Sequence, residues 1–101
     1  MDFSINEGTL VVTGGPGDSV QTAIVIKKTP KGLSAGGAEL LLLTQRFGSR
    51  GRQWNLEHQD LLTINGRVFD MFQIVLEGDG SRRSVYFDIS DWLARVQQGE
   101  R

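Results

Sequence analysis

Cysteine is missing from all 101 residues, which excludes disulfides and thiolate metal sites outright. Histidine occurs once, at His58, so a typical metal site has no second imidazole to use. Neither sign of charge is in excess. Eleven Lys and Arg against 12 Asp and Glu leave a formal net charge of −1, which argues against a dominant polyanion-binding surface and leaves room only for a local patch. No apolar run approaches the roughly 18 residues that a transmembrane helix needs. Met1-Asp2-Phe3-Ser4 lacks the basic region and apolar core of a signal peptide, so a soluble, cytoplasmic protein is expected.

Motifs of nucleotide and acyl chemistry are missing too. Gly14-Gly15-Pro16-Gly17 has the glycines of an anion-cradling loop, but Pro16 removes one amide donor and the G-x-x-x-x-G-K-[ST] pattern is not met. It reads as a turn between strands. No G-x-G-x-x-G precedes a helix, and no serine sits in a G-x-S-x-G elbow. No cofactor and no metal are expected.

What the chain does contain is a strong β signal over residues 53–89. Leu61-Leu62-Thr63-Ile64 runs into Asn65-Gly66, and a strand beginning at Arg67 runs out. Asn and Gly tolerate the positive φ of a two-residue type I′ turn, so Ile64 should pair with Arg67, Leu62 with Phe69 and Leu61 with Asp70. A second turn at residues 78–81 leads into a third strand, with Ile74 opposite Val85 and Phe72 opposite Phe87. Alternation then sorts the side chains. One face collects Leu61, Phe72, Ile74, Leu76, Val85, Phe87 and Ile89. The other collects Trp54, Leu56, Leu62, Ile64, Phe69, Met71, Val75 and Tyr86. Neither is polar, so both faces should be covered, or one awaits a partner. A bulge in the first strand would shift this sorting by one residue.

Ahead of this meander, Thr9 to Thr13 and Ala23 to Ile26 read as strands. A helix from about Ser34, its N-cap, to Phe47 ends at Gly48. Its four consecutive leucines, Leu40 to Leu43, predict burial on more than one side, with Leu41 and Leu42 deepest. Ser90 reads as the N-cap of a short helix over residues 91–98, stopped by Gly99. The expected fold is a single α+β domain over residues 1–101. Its order is ββ-α-βββ-α, with a mostly antiparallel sheet, one long central helix and a short C-terminal helix.

The candidate chemistry follows from these placements. Trp54, Phe69, Met71 and Tyr86 on the second sheet face are residue types favoured at protein interfaces, because they bury much area with few rotors. They are the candidate protein-binding set, for a protein partner or a homodimer. Arg46, Arg50 and Arg52 cluster at the helix end, with Trp54 close behind. Guanidinium charge beside an aromatic plane is the equipment of single-stranded nucleic-acid binding, the alternative reading; cations at a helix C-terminus also suit its dipole. Asp70 on an apolar face, and Glu57 beside His58, are the candidate acids of a third, enzymatic reading. The first reading is a non-enzymatic module of bacterial type that works through protein contacts, as an inhibitory, immunity-like or accessory partner.

Overall fold

The computed structural model describes residues 2–5 and 8–99; Asn6 and Glu7, which open the turn signal Asn6-Glu7-Gly8 of the sequence, lie outside them. Strands β1 (Asp2–Ile5), β2 (Gly8–Gly14) and β3 (Ile24–Lys28) come first. Helix α1 (Ala35–Phe47), strands β4 (Trp54–Ile64), β5 (Arg67–Leu76) and β6 (Arg82–Asp88), and helix α2 (Ser90–Gln97) follow. Three strands precede α1 where two were expected, because Asp2–Ile5 pairs with β2.

The strands form one six-stranded sheet in the order β1-β2-β3-β6-β5-β4. This sheet is mixed rather than mostly antiparallel, since β3 and β6 run parallel at its centre. Physically, α1 acts as a crossover. It carries the chain from β3 to the far edge, where β4 starts, and the meander then folds inward until β6 reaches β3. The central helix is also not long. At 13 residues it is close to the length of an average globular helix.

Local chemistry explains the ends of α1. Ser34 accepts from the Gly37 amide at 3.1 Å, and Gly48 takes φ 98° as its amide returns to Thr44 O. Burial corrects the leucine expectation. The inward residues are Ala35, Ala38, Glu39, Leu42 and Leu43, an i, i+3, i+4, i+7, i+8 stripe on one side only. Leu41 points away and is 49% exposed, while Leu43 is buried. The stripe lies against one contiguous core of Leu10, Val12, Ile26, Trp54, Phe72, Ile74, Val85, Phe87 and Ile89.

The Asn65-Gly66 turn has φ 51° and 78°, and Ile64–Arg67, Leu62–Phe69 and Leu61–Asp70 pair as expected. The next hairpin keeps its faces but slips by two residues, so that Phe72 meets Val85 and Asp70 meets Phe87. Asp79 Oδ1 accepts from the Ser81 amide at 2.9 Å and Gly80 takes φ 70°, which moves the turn one residue earlier. At α2, the Ser90 hydroxyl does not cap the helix. It accepts from the Val68 amide at 2.8 Å, and Asp88 Oδ1 instead accepts from the Ser90 amide at 3.0 Å.

A candidate interaction surface

The first half of β4 decides which side chains face solvent. Leu56 is opposite Ile74, yet His58 is opposite Gln73, so Glu57 is the extra residue of a bulge. The bulge reverses the alternation ahead of it. Trp54, opposite Leu76, therefore turns onto the α1 side together with Leu56. Trp54 is wholly buried, and its indole N–H donates to Gly48 O at 2.7 Å. Of the four residues expected on the interaction face, Trp54 is thus a core anchor for the loop after α1.

Phe69, Met71 and Tyr86 stay on the second face, where Met71 and Tyr86 are direct cross-strand partners. Leu62 and Ile64 join them from β4 and Val75 from β5 by alternation. Phe69 is buried at 5% exposure, outside the contiguous core, whereas Leu62, Met71, Val75 and Tyr86 are half-buried and Ile64 is exposed. Helix α1 lies on the opposite side, and α2 contacts β3 and β5. Helix α2 does not carry its tryptophan onto these side chains. Trp92 Nε1 donates instead to Thr29 Oγ1 at 2.9 Å, just beyond the end of β3.

One corner of this face is a charged lock. Arg67 Nε and Nη2 both lie 3.0 Å from Asp88 Oδ2, and Arg67 Nη2 is 3.6 Å from Asp91. Lys27 reaches Asp91 at 3.4 Å. Asp88 and Asp91 thereby tie the hairpin tip and β3 to the start of α2, which accounts for both acids by structure.

The arginines have different partners. Arg46 donates to Pro16 O, stands 3.7 Å from Asp18 and stacks over Phe47 at 5.0 Å, pinning the glycine loop to α1. That loop reaches β6 as well, since Gly17 O accepts from the Tyr86 amide at 2.8 Å. Gly17 has φ 93°, and a Cβ there would meet Ile24 and Val85 at 3.1–3.2 Å. This is the connecting role read from the sequence. Arg50 and Arg52 are exposed, with Arg50 5.9 Å over the Trp54 ring. The expected base platform is the ring of Trp54, and burial withholds it from a base.

Of the candidate acids, Glu57 is bound in the bulge to Arg82 Nε at 2.7 Å; that hydrogen bond holds its carboxyl below the usual range. Asp70 is half-buried under α1, beside a second acid, Glu39. Glu39 is wholly buried and lies within hydrogen-bonding reach of Asp70. Burial first, and then the neighbouring Asp70, push it up to about 10, so it holds its proton at neutral pH. Its spacing from Ala35, Ala38, Leu42 and Leu43 was the available signal, because an acid stood on the apolar stripe.

Among the described residues no group of three His, Asp or Glu side chains is arranged to hold a metal ion, and no helix is long and apolar enough to cross a membrane. In comparisons with protein-family models, curated proteins and solved structures, nothing matches this chain.

Proposed function

We propose that this chain is a non-enzymatic protein-interaction module whose contact surface is the open face of β4, β5 and β6. The observation that carries this reading is the strip of Leu62, Ile64, Met71, Val75 and Tyr86 around Phe69, on the side of the sheet opposite α1. Contiguous apolar patches larger than a few hundred Å² are uncommon on soluble monomers and mark contact sites. Met and Tyr are also side chains that interfaces favour. Of the two acids that invited an enzymatic reading, Glu57 holds Arg82 and Asp70 lies beside the buried Glu39 under α1. An inhibitory, immunity-like or accessory role is the form such a module would take.

The test compares the wild type with Met71→Glu, a half-exposed position where a charge leaves the core untouched. Both proteins should give the same circular dichroism spectrum. Immobilised wild type should retain a foreign protein that Met71→Glu releases. Identical retention of that protein by wild type and variant, or retention of none by either, would refute the reading.

A further inference from the structure

We propose that the free edge of β4 pairs antiparallel with the same edge of a second copy of this chain, about a two-fold axis through Leu61. Two six-stranded sheets would thereby join into one. This goes beyond the open-face reading: it assigns a second contact, the edge of β4, and gives it a second copy as partner.

A two-residue hairpin turn makes its flanking residues, Ile64 and Arg67, a hydrogen-bonded pair, and bonding then alternates along the ladder. Ile64, Leu62 and Asp60 consequently direct their amides and carbonyls at β5. Gln59, Leu61 and Thr63, opposite Phe72, Asp70 and Val68, direct theirs outward. Because β4 ends the sheet, that outward row has no neighbouring strand. The Leu61 amide bears this out, donating to Asp60 Oδ1 at 3.0 Å instead of to a carbonyl of β5.

The bulge at Glu57 and the turn at Asn65 bound a regular run, residues 58–64, whose midpoint is Leu61. The run is about 20 Å long at ~3.4 Å per residue. With the axis at Leu61 the whole run pairs with itself. Gln59 then faces Thr63 of the copy, His58 faces Ile64, and Leu61 meets its own counterpart. An axis at Asp60 would oppose two like charges. An axis at Leu62 would push the turn residue Asn65 onto Gln59 and shorten the ladder. A second copy therefore fits this edge end to end in one register.

Exposure points to the same segment. Among the described residues the exposed large hydrophobics are Leu61 at 62%, Leu41 at 49% and Ile64 at 37%, and two of these three lie on this run. Edge strands are ordinarily protected by lysine, proline, inward charges or bulges. Residues 58–64 contain no lysine and no proline. Their one device is Asp60, whose carboxylate occupies the central ladder donor. Pairing displaces that carboxylate, so Asp60 sets the strength of association. A contact of this length falls in the small class of interfaces, below about 1,200 Å², and gives a dimer that depends on concentration.

Sedimentation velocity on the full chain, from micromolar to millimolar, is the experiment. Wild type should pass from monomer to dimer, and Asp60→Ala should dimerise at several-fold lower concentration. Thr63→Pro removes one outward amide, which an edge strand tolerates, and Leu61→Lys sets a charge on the axis. Both should stay monomeric at every concentration with unchanged circular dichroism. Should Thr63→Pro fail to fold, Leu61→Lys at an exposed site decides alone. A dimer that survives both variants yet dissolves in Met71→Glu would overturn the edge pairing and leave the interaction reading standing. Wild type and Asp60→Ala that are both monomeric throughout would also overturn it, whatever foreign partner the open face retains.

Discussion

Glu39 of α1 and Asp70 of β5 are neighbouring acids on the helix-covered face of the sheet, and the buried one keeps its proton. Burial and then Asp70 raise Glu39 to about 10 from an ordinary 4.5. The native state thus binds a proton that the unfolded chain releases above about pH 4.5. Stability from this group is complete below that pH and falls as pH rises toward 10, by about 1.4 kcal/mol per pH unit at most.

Glu39→Gln removes the titration while keeping the shape. Urea unfolding at pH 5.5, 6.5, 7.5 and 8.5 should show the variant gaining on the wild type at each step, by up to about 1.4 kcal/mol per unit. A constant difference between the two proteins across this range would mean that Glu39 is ionised in the folded state.

The one-sided stripe of α1 separates adjacent leucines. Leu43→Ala should cost about 2–5 kcal/mol, because a buried side chain leaves a cavity. Leu41→Ala should change stability by less than about 0.5 kcal/mol, as at an ordinary surface site. Chemical denaturation of both variants reads this out, and equal costs would contradict the helix orientation.

Gly66 isolates backbone strain from packing. It sits at φ 78°, and a Cβ built there meets nothing within 4 Å. Gly66→Val should therefore destabilise by about 1–3 kcal/mol through its dihedral alone. Gly66→Asn, whose side chain tolerates the left-handed region, should lose clearly less. Matching melting curves for wild type and Gly66→Val would remove the I′ turn from this account.

Much of the architecture was legible because it depends on near neighbours. Asn65-Gly66 specifies its turn through two positive dihedrals, and Ser34 and Gly48 bound α1 through caps a few residues long. The sorting of Phe72, Ile74, Val85 and Phe87 onto one face survived even a two-residue slip, since side chains alternate with period two. The second sheet face was legible in the same way for Phe69, Met71 and Tyr86.

By itself, then, the sequence determined the Asn65-Gly66 turn, the caps of α1 and the face occupied by each strand downstream of Glu57. Tertiary structure decided the rest. A bulge costs one residue and has no composition of its own, yet it carried Trp54 from the expected surface into the core. Nothing local distinguishes Leu41 from Leu43 until the sheet selects which side of α1 it covers. The parallel junction of β3 and β6 likewise depends on where a crossover lands, a contact between residues some sixty positions apart. Short-range sterics act within a few residues and can be read from the chain. Burial and long-range pairing are properties of the assembled core.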